Sequence, residues 1–162
     1  MRITKYRTKQ TFEGQVYLVK ENAVNYKGAS EKLNSPKEIV RMLNDVFDLC
    51  HETEEYLYLL CFKTSFALCG IFEVSHGTVR TSFASPREIM QKALLCNAST
   101  FVIAHNHPGG SILPSSCDDE VVKRLQEVGK LMEVPITDSL IIADNQYFSY
   151  SEENRIIGEN NE

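Results

Sequence analysis

The sequence lacks the features that would place it in a membrane or a secretory pathway. No apolar run approaches the roughly 18 to 20 residues that a membrane helix needs. Residues 1–5 do not begin the apolar stretch that a signal peptide carries. These absences predict a chain that has no contact with a membrane and works in the cytoplasm.

The five cysteines lack any recognisable pattern. They are odd in number, scattered, and nowhere spaced as C-x-x-C. A secreted disulfide framework would show a dense and even set in a short chain, and a cysteine zinc site would show paired cysteines. Cys61, Cys69 and Cys96 stand in apolar surroundings and are interpreted as small core residues.

Composition and charge indicate one globular domain that is a poor partner for polyanions. The chain has 162 residues, of which 43% are hydrophobic and 24% charged, and its formal net charge is -5. A chain of this length can bury a sizeable core. Its acidity predicts no tight binding to nucleic acid. The exception is a basic N-terminal arm, interpreted as a solvated strand edge, with Arg2, Lys5, Arg7 and Lys9.

Helix-start signals alternate with apolar runs along the chain. Ser35 and Ser85 each precede a proline that suits the first helical position, and Glu38 and Glu88 follow three residues after each serine. Strands are predicted at 15–19, 56–62, 67–74, 100–104, 136–142 and 146–150. The alternation predicts an α/β fold with a central mixed sheet and helices on both of its faces.

Two of the four histidines stand at the end of the apolar strand 100–104. His105 and His107 are two residues apart, so in extended backbone their imidazoles point to the same side. Pro108, Gly109 and Gly110 then turn the chain away and leave that side open. The alternative is an ordinary turn with one exposed histidine and one hydrogen-bonded histidine.

A third ligand is available in the next predicted helix. Ser115 suits the N-cap position, and Asp118 then falls in the first turn, facing back towards the histidines. Two histidines and one carboxylate hold zinc with one position open for water, which is the catalytic arrangement. Without a metal, Asp118 would only interact with the dipole of the helix.

The segment from His105 to Asp118 resembles the JAMM metalloprotease motif H-x-H-x7-S-x2-D at every specified position. Three further segments resemble the RadC branch of that family, namely Gly77-Thr78, Pro86-Arg87-Glu88 and Ala104-His105-Asn106-His107-Pro108. The resemblance covers about residues 30 to 152. It departs from the RadC pattern at Gly109, where a serine is usual, at 111–114, which is less polar, and in having no helix-hairpin-helix module ahead of the core.

The resemblance implies a three-layer fold, similar to that of cytidine deaminases, and a role for several residues. One zinc per chain would be held by His105, His107 and Asp118. The family pattern places the general base at Glu55, with Glu54 and Glu52 as the alternatives. Ser115 would donate a hydrogen bond to the developing oxyanion, and Asp138, at the position of an aspartate in the RadC pattern, would orient the site loop.

The resemblance implies a zinc metallopeptidase or isopeptidase acting on a protein or peptide. The alternative is a non-enzymatic accessory of DNA repair or recombination complexes. A zinc deaminase is disfavoured because H-x-E and P-C-x-x-C are both missing. A homodimer is compatible with the sequence. The predicted organisation is an N-terminal strand or arm packed on the core (1–30), a RadC-like domain (31–152) and a flexible acidic tail (153–162).

Overall fold

The structure is a computed structural model that describes residues 1–28, 33–77 and 85–156. Within these ranges the chain forms seven strands, three α-helices and a 3-10 turn at Leu49–His51. The strands are β1 Arg2–Gln10, β2 Val16–Asn25, β3 Glu55–Phe62, β4 Leu68–Gly77, β5 Thr100–Asn106, β6 Ile136–Ala143 and β7 Gln146–Ser149. The helices are α1 Pro36–Phe47, α2 Pro86–Leu95 and α3 Ser116–Leu131.

All seven strands belong to one sheet in the order β2-β1-β4-β3-β5-β6-β7. The pairs β1/β4 and β5/β6 are parallel, and the other four pairs are antiparallel. The sheet is therefore mixed, as predicted. The strand that leads to the histidines, β5, lies between β3 and β6 and is buried along its whole length.

The helices cover both faces of the sheet, which confirms the predicted three-layer architecture. On one face α1 packs with Leu43 against residues such as Leu60 and Val102. On the other face α2 and α3 pack with Ile89 and Leu125 against a second core; its sheet residues include Leu59, Phe101 and Ile103. Successive residues of β5 alternate between these two cores, as side chains of a strand must.

The first two helix starts follow the predicted serine–proline pattern. α1 begins at Pro36, and the Ser35 hydroxyl accepts a hydrogen bond from the backbone N–H of Glu38 at 3.3 Å. The Glu38 carboxylate accepts from the N–H of Asn34 at 2.9 Å, one residue earlier than in a capping box. α2 begins at Pro86, directly after Ser85.

The N-terminal segment differs from its prediction as a solvated edge. It forms β1, an interior strand that pairs with β2 along its length and with β4 at Lys5. The Lys5 ammonium lies 2.7 Å from the Glu73 carboxylate and 3.3 Å from that of Glu21. The edge strand is β2, which extends well beyond the predicted 15–19.

The limits of the predicted organisation stay predictions. Part of the acidic tail, 157–162, and Thr78 of the RadC-like segment lie outside the described residues. None of the helices in the described ranges has the length and apolar character that crossing a membrane requires.

Candidate metal centre

The two histidines lie at the end of β5 on the face covered by α2 and α3. The backbone N–H of His107 donates to the carbonyl of Ile142 at 2.8 Å, so the ladder between β5 and β6 continues past the end of the strand. This extended backbone brings the Nε2 atoms of His105 and His107 to 3.0 Å from each other. The expected convergence of the two imidazoles is present.

The loop after β5 fixes the orientation of one imidazole. Nδ1 of His107 lies 2.7 Å from the carbonyl oxygen of Ser111, which can only accept, so Nδ1 carries the proton. In a neutral imidazole Nε2 is then the nitrogen with the lone pair, and it faces Nε2 of His105. This contact could not be predicted from the sequence, because a backbone acceptor leaves no signature in residue types.

Two glycines shape the same loop in different ways. Gly110 donates to the carbonyl of His107 at 3.0 Å and has a φ of +79°, a conformation that favours glycine. A Cβ added at Gly109 would meet no described atom within 4 Å. The departure from the RadC pattern at Gly109 therefore leaves room for the usual serine.

Asp118 joins the histidines from the first turn of α3. Its Oδ1 lies 3.2 Å from Nε2 of His105, and its Oδ2 lies 3.7 Å from Nε2 of His107. Oδ2 also accepts from the backbone N–H of Ser115 at 2.7 Å and from the Ser115 hydroxyl at 2.6 Å. That hydroxyl accepts in turn from the N–H of Asp118 at 3.2 Å, which completes a capping box.

The charge of Asp118 is well stabilised in this position. Burial opposes its ionisation, but hydrogen bonding and attraction to His105, together with the bonds from Ser115, hold the pKa of Asp118 well below its usual range. Asp118 is therefore a carboxylate, the form that binds metals, throughout the neutral pH range.

The donor set fits a small divalent cation. The three donor groups are separated by 3.0, 3.2 and 3.7 Å. Tetrahedral zinc with nitrogen and oxygen ligands at about 2.0–2.1 Å requires its ligand atoms to be about 3.3 Å apart. Asp118 approaches the two nitrogens with different oxygens, Oδ1 towards His105 and Oδ2 towards His107, so a rotation of its carboxylate would bring one oxygen near both, and the three residues could hold zinc.

Glu55 completes the group of ligand-type atoms. It is the first residue of β3, is only 8% exposed, and places a carboxylate oxygen within 4.8 Å of the ligand nitrogens of His105 and His107. The backbone carbonyls of Glu52 and Glu54 accept hydrogen bonds from Asn106, whose side chain lies on the other face of the sheet. Burial raises the pKa of Glu55, and the two histidines oppose that shift.

A cleft over the α3 face of the sheet gives access to these side chains. Its lining includes Glu55, His105 and Asp118, together with apolar residues of β3, β5 and α3. Ser139 of β6 also lines it and is 1% exposed. Ser139 could not be predicted as a site residue, since a lone serine in a buried strand belongs to no motif.

Asp138 lies away from the predicted metal ligands His105, His107 and Asp118. Val102 pairs with Asp138 although the preceding Phe101 pairs with Ile136, so a bulge at Thr137 moves Asp138 to the α1 face. There its carboxylate accepts from the Ser149 hydroxyl at 2.7 Å and from the backbone N–H groups of Ser139 and Ser151. Asp138 thus holds the end of β7 and the turn after it, and not the predicted site loop.

Asp119, next to the predicted ligand, has partners of its own. Its Oδ1 accepts from the Tyr150 hydroxyl at 2.8 Å and from Arg155 at 3.1 Å. These bonds fasten the first turn of α3 to the segment after β7, and so support the position of Asp118. Cys117 is exposed between the two aspartates.

Comparison with known proteins shows the family of the chain. The RadC-like JAB domain family matches residues 33–155, more than half of the chain. A UPF0758 protein of Clostridium botulinum strain Okra is 34% identical over 132 residues, which are 81% of this chain and 57% of that protein. A UPF0758 protein of Actinobacillus succinogenes is 36% identical over 106 residues, 65% of this chain and 48% of its own length.

The chain belongs to the RadC-like JAB domain family. It spans about half the length of the curated relatives that it matches, and their names state no activity. Residues 33–155, which match the family, include all three members of the group of ligand-type side chains, Glu55, His105 and His107.

Proposed function

We propose that this protein is a zinc-dependent hydrolase that cleaves a peptide or isopeptide amide. Its metal ligands are His105, His107 and Asp118, and its general base is Glu55. The observation that carries the proposal is the set of three donor separations, 3.0 to 3.7 Å, beside a buried glutamate. Three protein ligands leave one position of a tetrahedral ion open, which suits catalysis rather than a structural role.

The residues of the chain divide the chemistry between them. A zinc ion bound there supplies Lewis acidity, which polarises a carbonyl and lowers the pKa of water. Glu55 accepts the proton of the attacking water at a carboxylate oxygen. The new C–O bond forms as the amide C–N bond breaks, and Glu55 returns the proton to the leaving amine.

The surroundings of Glu55 suit this role. A general base works best when its pKa approaches the pH at which it operates, and burial moves the pKa of Glu55 in that direction. Ser139 offers a buried hydroxyl that lines the same cleft and can hydrogen-bond a substrate.

The first test replaces Glu55 with glutamine. Glu55→Gln keeps the size and hydrogen bonding of the side chain but cannot accept a proton. We expect zinc to stay bound while hydrolysis of a pool of fluorescence-quenched peptides by the zinc-loaded protein falls by about 10² or more.

Glu54→Gln is the matched control, because Glu54 is exposed and adjacent in sequence. It removes the same charge next to the strand and should leave hydrolysis unchanged. Equal activity of the Glu55→Gln variant and the unaltered protein would overturn the proposed base. An unaltered, zinc-loaded protein that cleaves none of the peptides would count against the peptidase proposal.

The alternative is an accessory role in DNA repair or recombination complexes. Non-specific duplex binding depends on Lys and Arg side chains that neutralise phosphates. Of the four basic residues in β1, Lys5 already pairs with Glu21 and Glu73. Arg2, Arg7 and Lys9 are the exposed ones, on a chain of net charge -5.

We therefore expect no tight duplex binding at about 0.15 M salt, where few phosphate contacts give little affinity. Fluorescence anisotropy with a labelled duplex across a salt series measures this. Sub-micromolar affinity that disappears when the three exposed basic residues are neutralised would favour the accessory role.

A further inference from the structure

Asn106, between the two histidines, is buried on the opposite face of the sheet. It is 2% exposed, and alternation along β5 directs its side chain away from the cleft that His105 and His107 face. It is not among the residues that line the cleft. Its amide nevertheless makes hydrogen bonds to the backbone just before β3 and at the start of β3.

The Asn106 amide bonds the backbone on both sides of Glu55. Its Oδ1 accepts from the N–H of Tyr56 at 2.7 Å, and its Nδ2 donates to the carbonyl of Glu54 at 2.9 Å. A longer bond of 3.4 Å joins Nδ2 to the carbonyl of Glu52. One side chain thus holds the residue before Glu55 and the residue after it.

These hydrogen bonds lie where the regular pairing of β3 with β5 ends. The pairing of β3 with β5 runs from Leu57, opposite His105, to Phe62, so Glu55 and Tyr56 precede it. On the other side Glu55 pairs with Gly77, the last residue of β4. The Asn106 amide therefore connects β5 to Tyr56 of β3 and to Glu54 just before the strand, on either side of Glu55.

Asparagine suits this position for a definite reason. Its side chain offers an acceptor and two donors in one plane, and the site uses both kinds at once. Aspartate could still accept from Tyr56 but would set an oxygen against the carbonyl of Glu54. An apolar residue would leave the N–H of Tyr56 and the carbonyl of Glu54 without this partner.

We propose that Asn106 is a positioning residue that couples the strand of the metal ligands to the strand of Glu55. The side chains of residues 105–107 then lie on both faces of the sheet. The two imidazoles lie on the face covered by α2 and α3, and the amide of Asn106 lies on the opposite face. The catalytic consequence rests on the proposed function; the structural coupling does not.

The test is Asn106→Ala, compared with Asn22→Ala, which removes an exposed asparagine from the edge strand β2. Amide hydrogen exchange measured by NMR should be at least about tenfold faster at Tyr56 in Asn106→Ala, because its acceptor is gone. Zinc content should be unchanged. The kcat for peptide hydrolysis should fall about 10- to 100-fold with little change in KM, since small displacements of a catalytic group cost that much.

A double variant separates positioning from general damage. If Asn106 acts through Glu55, Asn106→Ala should reduce kcat no further in a Glu55→Gln background. An additional loss of the same size would overturn the proposal, as would unchanged exchange at Tyr56. If Asn106→Ala does not fold, Asn106→Asp removes only the donor to Glu54, and a loss of kcat that is absent in the Glu55→Gln background supplies the same test.

The two proposals fail in distinguishable ways. If Glu55→Gln leaves hydrolysis intact, the proposed base is wrong, but faster exchange at Tyr56 in Asn106→Ala still supports the coupling. If exchange is unchanged while Glu55→Gln abolishes hydrolysis, the base stands and Asn106 does not position it.

Discussion

Two groups of ligand-type side chains in the described part of the chain meet the same distance criterion but differ in construction. Asp48, Cys50 and His51 come from one turn of four residues, and two of them are exposed. In the other group, Glu55 and His105 are buried, and the residues come from β3 and from the end of β5. Each group has its ligand atoms within 4.8 Å of one another.

The difference shows that proximity alone does not make a catalytic centre. In the turn, the Asp48 carboxylate already pairs with Nδ1 of His51 at 2.5 Å, in full contact with water. In the sheet group, made of Glu55, His105 and His107, Ser111 orients His107 and Asn106 bonds the backbone on both sides of Glu55. Ser115 orients Asp118, which lies beside the group. Supports of this kind fix a site before a ligand arrives, and burial strengthens its electrostatics.

The largest expected contrast between the two groups is in zinc retention. The folded protein should carry about one zinc per chain, and His105→Ala or Asp118→Ala should each release it, because two remaining ligands are too few. His51→Ala and Glu120→Ala are the matched controls, an exposed histidine and an exposed carboxylate of α3. Elemental analysis after dialysis measures the content; full occupancy in a His105→Ala, Asp118→Ala double variant would contradict the ligand assignment.

A smaller effect on zinc binding is expected when Asp118 loses its hydrogen bonds to the Ser115 hydroxyl. Ser115→Ala removes the hydroxyl that bonds Asp118 at both its carboxylate and its N–H. We expect zinc affinity to fall about 10- to 100-fold and the free energy of unfolding to fall by about 1 kcal/mol through the lost N-cap. Competition with a chromophoric chelator and thermal unfolding measure these, with Ser116→Ala as the control.

The same variant tests the oxyanion role predicted for Ser115 from the sequence. The hydroxyl is engaged with Asp118, which suits orientation of the ligand. Unchanged zinc affinity combined with a large loss of kcat would instead indicate that Ser115 acts on the substrate.

The smallest effect is expected in the turn group. The hydrogen bond and charge of Asp48 raise the pKa of His51, so this pair stabilises the fold below the unfolded pKa of about 6.5 and loses that contribution as pH rises through the folded value. His51→Ala should therefore lower the unfolding midpoint slightly at acidic pH and leave it unchanged at alkaline pH. Asp48→Asn should remove this pH dependence; a difference that grows with pH would contradict the assignment.

The local parts of the site could be predicted from the sequence, since they depend on short spacings. The i, i+2 histidines and the serine and aspartate three residues apart lie where extended and helical backbones put them. Glu55 required the family pattern, because nothing local distinguishes it from Glu52 and Glu54. In the fold, apolar runs and serine–proline pairs predicted the strands and helices of the core.

The remaining features depend on pairing between distant segments. Asp138 follows Ile136 by two residues, and simple alternation would put both on the cleft face. The bulge at Thr137 reverses this, and no residue type in the strand indicates it. The interior position of residues 2–10 was not predicted for the same reason. Their charges suggested an edge strand, but β1 pairs with β4, which lies far away in the sequence.

The use of both faces of β5 by consecutive residues limits which insertions and deletions this segment can accept. After removal or addition of one residue between Thr100 and Ala104, the apolar run would still predict a strand. The change would also turn both imidazoles into the core beneath α1 and bring the asparagine into the cleft, because side chains alternate with a period of two. We therefore expect length changes within β5 to be far more damaging than a side chain added at Gly109, whose Cβ would meet no described atom within 4 Å.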